Sequence, residues 1–140
     1  MNTKKQPINQ NTYVLVVDDD EGVCEFFQDL YDEMDIKVDV VTSGVAGLNS
    51  AKTGDYKLIF LDINLGDISG LDVLEGIRKA DKQVKIIMIS GYLTEANIER
   101  ALKAGADGYL YKPLQVRDII AQTFKHVAVN ELRNPGLLHL

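Results

Sequence analysis

The feature that most constrains this chain is a regular alternation between two hydrophobic patterns. Short, continuous apolar runs recur at Tyr13–Val17, Val38–Val41, Leu58–Leu61, Val84–Ile89 and Tyr109–Tyr111. Between them, apolar residues fall at helical spacing. Val23, Phe26, Phe27, Leu30 and Met34 make the first stripe, and Val45 to Lys52 a weaker second one, closed by Gly54. Leu71, Leu74 and Ile77 mark a third after Gly70. Thr94 is placed to cap a fourth, which carries Ile98, Ala101 and Leu102 and ends at Gly105. Val116, Ile119, Ile120, Thr123, Phe124 and Val127 make the fifth and clearest. A run that is apolar at every position is buried on both faces, which happens where helices cover both sides of a parallel sheet. Strands and helices in strict alternation, joined by right-handed crossovers, predict one open, doubly wound α/β sheet.

The 140 residues suit a single domain. Residues 1–12 are polar, rich in Asn and Gln, and contain Pro7, so they read as a disordered arm. The folded domain is expected over 13–129. After it, Asn134-Pro135-Gly136 is a turn signal and Leu137-Leu138-His139-Leu140 a short apolar tail, giving a tail over 130–140. No output region follows Val129, so the sequence reads as a stand-alone module or a piece of a longer protein. A net charge of −6 argues against direct contact with nucleic acid. The apolar runs are far too short for a bilayer, and no apolar stretch follows the first lysines, so no membrane role and a cytoplasmic location are expected. The single cysteine, Cys24, cannot form an internal disulfide; on an apolar stripe it reads as core.

In open parallel sheets, ligands bind where the strands end. The first strand ends in Asp18-Asp19-Asp20-Glu21, the third in Asp62-Ile63-Asn64, the fourth in Ser90-Gly91 and the fifth in Lys112-Pro113. Asp18, Asp19 and Asp62 would repel one another there, and a hard divalent cation such as Mg²⁺ relieves such crowding. Lys112 supplies a point charge suited to a phosphoryl group, Ser90 a hydroxyl donor, and Asp62 a carboxylate nucleophile. Each has an ordinary reading. A run of aspartates is usually a solvated helix start, and Asp20 reads as such an N-cap. Asp62, Ser90 and Lys112 taken singly are ordinary strand-end residues, and His126 and His139 read as surface. Together, the five residues at strand ends read as a phosphoryl-transfer site.

Four segments occur in order: VLVVDDDE, LIFLDINLGDISGLDVL, IIMISGY and GADGYLYKPL. In these, over about residues 12–128, the chain resembles the receiver domains of two-component response regulators. The resemblance implies a flavodoxin-like strand order 2-1-3-4-5. It implies Asp62 as phospho-acceptor, and Mg²⁺ (or Mn²⁺) bound by Asp18, Asp19, Asp62 and the Asn64 carbonyl. It further implies Ser90 as switch hydroxyl, Lys112 as the essential lysine with Pro113 as its cis partner, and Tyr109 as the aromatic switch. The donor would be a sensor histidine kinase or phosphotransfer protein. The receiver would control a downstream protein or output domain, or pair as a homodimer. It would catalyse only its own phosphorylation and dephosphorylation. The family's usual proline four residues after the acceptor is Gly66 here, and Tyr92, two after the switch hydroxyl, would face the site.

Three other readings use the same residues. Asp18-x-Asp20 resembles the nucleophile motif of haloacid-dehalogenase-type phosphatases, but Gly22 stands where that pattern has Thr or Val. A flavodoxin-like FMN carrier needs a hydroxyl- and glycine-rich loop after the first strand, where this chain is acidic. A degenerate, unphosphorylated receiver is opposed by the full residue set.

Overall fold

The computed structural model describes residues 13–80 and 83–127. The expected arm, residues 128–129 and the tail lie outside the described residues. Within them the order is β1 (Val14–Val17), α1 (Glu21–Glu33), β2 (Val38–Val41), α2 (Gly44–Thr53), β3 (Leu58–Asp62), α3 (Gly70–Ala80), β4 (Lys85–Ser90), α4 (Glu95–Ala104), β5 (Gly108–Tyr111) and α5 (Val116–His126). The strands form one parallel sheet in the order β2-β1-β3-β4-β5. The doubly wound fold and its strand order are therefore as expected.

Side chains of a strand alternate between the two faces, so each buried strand feeds two cores. Val14, Val16, Leu58, Phe60, Ile87 and Ile89 point to one face, against Phe27 and Tyr31 of α1 and Ile119 of α5. Leu15, Val17, Ile59, Leu61, Ile86 and Met88 point to the other, against α2, α3 and α4 through Ala51, Leu74, Ile77 and Ala101. The α1–α5 layer also carries a buried polar contact. Tyr31 Oη lies 2.7 Å from Thr123 Oγ1, and Thr123 donates to Ile119 O. Burial, first of all, pushes the Tyr31 phenol above its ordinary value. Cys24 is buried as expected and donates to Asp18 O; burial followed by the charges of Asp18 and Asp20 raises its thiol to about 11.

Side-chain caps explain where α1, α2 and α4 begin, while α5 starts after Gln115 without one. Asp20 accepts from the N–H groups of Gly22 and Val23, Ser43 from Ala46, and Thr94 from Asn97. Gly105 ends α4 at φ 106°, a conformation that favours glycine. Gly54 closes α2 as expected, in extended backbone (φ −95°) with its N–H on Ser50 O. One expectation, a surface position for His126, is corrected. His126 is half-buried, with its Nε2 enclosed and lacking a hydrogen-bond partner among the described residues. Burial, then the charge of Lys125, lowers its pKa. The helical stripe that buries Val127 brings His126 partly inside with it.

Candidate functional site

The parallel register sets the strand ends in a row. Val17 pairs with Leu61, Asp62 with Ile89, and Ser90 with Tyr111. Adjacent strands lie about 4.8 Å apart, so residues one step beyond those pairs meet at the carboxyl edge. Asp18 follows β1, Asp62 ends β3, Ser90 ends β4 and Lys112 follows β5. The Lys112 main chain is held there, donating to Ser90 O at 2.8 Å.

Carboxylate oxygens of Asp18, Asp19 and Asp62 lie within 4.8 Å of one another. Asp18 is fully buried and Asp62 is 3% exposed, whereas Asp19 is exposed. Lys112 Nζ reaches between the two buried acids, 2.8 Å from Asp18 Oδ2 and 3.4 Å from Asp62 Oδ2. The contact with Asp18 is an ion pair by distance and lacks hydrogen-bond geometry. Burial, and next the neighbouring Asp18 charge, push Asp62 up to about 6, against the pull of Lys112 and of the Asn64 N–H. For Lys112 burial acts downward, but pairing with Asp18 and Asp62 wins and its pKa is raised.

Three carboxylates facing one ammonium leave the cluster two formal negative charges. A divalent cation matches that deficit, and its preferred ligands are oxygens of this kind. The residues present therefore fit Mg²⁺. Asn64 stands at the rim, exposed, with its N–H on Asp62 Oδ1 at 3.2 Å.

The remaining residues lie further out. Ser90 is fully buried; its hydroxyl donates to Tyr92 O at 3.0 Å and accepts from Tyr92 N at 3.1 Å. Tyr92 engages the site through this backbone, while its side chain is 75% exposed. Tyr109 is 39% exposed and packs edge-on against Tyr111. The Lys112–Pro113 peptide is cis. A groove of about 520 Å³ runs from Lys112, Pro113 and Leu114 to Gly22, Val23 and Phe26.

Sequence reading passed over Asp67. Its carboxylate accepts from the N–H groups of Gly44 and Val45, the first two of α2, at 2.8 and 2.9 Å. No local pattern signals this contact, because its partners lie 23 and 22 positions away.

Comparison with known proteins agrees with this geometry. A family model described as the response regulator receiver domain matches residues 14–124. The transcriptional regulatory protein CusR of Escherichia coli (strain K12) is 34% identical over 109 residues, 78% of this chain and 48% of that protein. The chain thus spans about half the length of the curated relatives it matches. Among solved structures, a CheY-like receiver domain protein from Methanospirillum hungatei JF-1 superposes with a TM-score of 0.79 at 28% identity, covering 83% of this chain and 93% of that one. A response regulator from Burkholderia pseudomallei, solved with a phosphorylated aspartic acid, a calcium ion and citrate, gives 0.74 at 26% identity, covering 86% of this chain and 69% of that one. With the family model spanning all five strands and the acidic cluster at their carboxyl ends, the chain belongs to the response regulator receiver domains, phosphorylation-based modules of two-component signalling.

Proposed function

We propose that Asp62 is the phosphoryl acceptor of this receiver and that the donor is a histidine kinase or phosphotransfer protein. The observation that carries this reading is the meeting of three carboxylates with Lys112 at one strand edge. An Asp62 carboxylate oxygen attacks the donor's phosphorus. The new P–O bond forms as the P–N bond to the donor imidazole breaks, and the imidazole leaves with the electron pair. Asp18, Asp19, Asp62 and the Asn64 carbonyl would hold Mg²⁺, with Mn²⁺ as an alternative. The cation supplies charge neutralisation for the phosphoryl oxygens. Lys112 neutralises the phosphoryl group from the other side, released from part of its pairing with Asp18 and Asp62. The Burkholderia protein, with its phosphorylated aspartate and calcium ion, supports this reading.

Ser90 then leaves Tyr92 and donates to a phosphoryl oxygen. Space opens beside α4, and Tyr109 turns inward. The surface over residues 94–127 changes, and its exposed Leu102, Tyr109, Tyr111 and Val116 suit docking of a downstream protein, an output domain or a second copy. The differential contact that biases the two states is the Ser90–phosphoryl bond. The acidic module itself contacts no nucleic acid in this reading. It works in the cytoplasm, and it acts only on its own phosphoryl group; no helix among the described residues is long and apolar enough to cross a membrane.

Acetyl phosphate with Mg²⁺, followed by intact mass, tests the acceptor. The protein gains one phosphoryl group and Asp62→Asn gains none. A stable phosphoryl on another carboxylate of the variant would sink the assignment. Continuous phosphate release would favour a phosphatase instead.

A further inference from the structure

We propose that Asp67 positions the β3–α3 loop, and with it Asn64, for cation binding, by bridging that loop to the start of α2. This rests on the reading of the acidic cluster given above. The bridge is two-toothed: Oδ1 takes the Gly44 N–H at 2.8 Å and Oδ2 the Val45 N–H at 2.9 Å. Helix α2 already has a cap of its own, Ser43 Oγ on Ala46 N. Asp67 takes two N–H groups of the first turn that Ser43 leaves open, so one carboxylate serves both the helix and the loop that supplies it.

Besides the Asn64 N–H on Asp62 Oδ1 and the Ile63 N–H on Ile89 O, two contacts frame the loop from Ile63 to Ser69. At its base Gly70 N donates to Ile63 O at 2.8 Å, and Gly70 lies so close to Asp62 O that no side chain fits there. At its far end stands the Asp67 bridge. Between these two contacts run Asn64, Leu65 and Gly66. Gly66 faces Asp19: a β-carbon there would lie 3.7 Å from Asp19 Oδ2. With glycine at 66 the stretch beyond Asn64 has little stiffness of its own, so its path depends on the contacts at either end and on the Asn64 N–H to Asp62. The frame that Asp67 grips also holds Asp18, because Asp18 N donates to Val41 O, just ahead of α2. Asp67 thus ties one side of the cation site to the other. The N–H groups of Val45 and then Gly44 hold its carboxyl down to about 2.

The test titrates Mn²⁺ by water-proton relaxation and follows acetyl phosphate labelling against Mg²⁺ concentration. Wild type, Asp67→Ala, Asp67→Asn and Ser43→Ala are compared. Asp67→Ala is expected to weaken Mn²⁺ about tenfold, the scale seen when a group that orients a metal ligand is lost. The Mg²⁺ needed for half-maximal labelling rises by the same factor, while the rate at saturating Mg²⁺ stays within about twofold. Asp67→Asn, which keeps one acceptor oxygen, recovers part of the loss and carries the comparison if the alanine variant unfolds. Ser43→Ala lowers stability and leaves Mn²⁺ affinity unchanged. Unchanged Mn²⁺ affinity in both Asp67 variants would overturn the proposal, leaving Asp67 a helix cap. Equal weakening in Ser43→Ala would overturn it too, since the effect would then run through α2. A wild type that neither binds Mn²⁺ nor gains phosphate defeats the site reading itself, and the proposal with it.

Discussion

The two edges of the sheet treat charge in opposite ways. At the amino edge, Arg78 donates from Nε and Nη2 to Gly105 O, from Nη1 to Val84 O, and from Nη2 to Asp107 at 2.9 Å. Asp107 in turn accepts from Ile86 N and lies 3.9 Å from Lys85 Nζ. Each group there has partners within the chain, and the network staples the end of α3 to the α4–β5 turn. At the carboxyl edge, Asp18, Asp19 and Asp62 share Lys112, and burial with mutual repulsion lifts Asp62 to about 6. At one edge every charged group named has a partner of opposite sign, and the other holds a negative excess that a cation or a proton relieves. Perturbed charge of that kind clusters at functional sites, although structural ion pairs perturb charge too.

The sharpest way to break this contrast is at the balanced edge. Arg78→Ala should cost about 3 kcal/mol in urea unfolding, because it leaves two carbonyls and a carboxylate short of donors. Mg²⁺ affinity should be unaffected. A loss below about 0.5 kcal/mol, the size of an ordinary surface change, would mean that the amino edge is not a staple.

At the strained edge the sign reverses. The folded state binds the Asp62 proton more tightly than the unfolded chain, since its pKa rises from 3.8 to about 6. That contribution favours folding below the ordinary carboxylate pKa and is lost as pH rises through about 6. Asp62→Asn should therefore unfold later than wild type at pH 7 without Mg²⁺, by about 2 kcal/mol. It should also lack the wild-type fall in stability between about pH 4 and 6. A destabilised variant would show that pairing with Lys112 outweighs burial and repulsion.

The smallest effect sharpens the same point. Mg²⁺ at ten times its Kd should stabilise the protein by about 1.4 kcal/mol at pH 7.5. The gain should shrink as pH falls through about 6, where Asp62 takes up its proton. Arg78→Ala should keep the gain in full. Calorimetric melting of both proteins with and without Mg²⁺ decides, and a gain independent of pH would place the cation away from Asp62.

Much of this contrast was legible before the fold was known. Asp18, Asp62, Ser90 and Lys112 could be assigned to strand ends because the apolar runs preceding them are unmistakable. Asp20 as a cap followed from its place before an amphipathic stripe. Arg78 and Asp107 carried no such signal. They look like surface charges, and their pairing spans 29 positions.

What the sequence by itself determined is the order of elements and the residue types at each strand end. Both follow from burial periodicity, which is local: each run of a few residues declares whether it is covered on one face or two. The tertiary structure alone decided which charges meet. Lys112 reaches Asp62 from 50 positions away, and Asp67 reaches Val45 from 22. It also decided that His126 turns partly inward and that Ser90 rests on the Tyr92 backbone. Coulomb interaction and hydrogen bonding act over a few ångströms in space, so these contacts exist only once packing has fixed the distances.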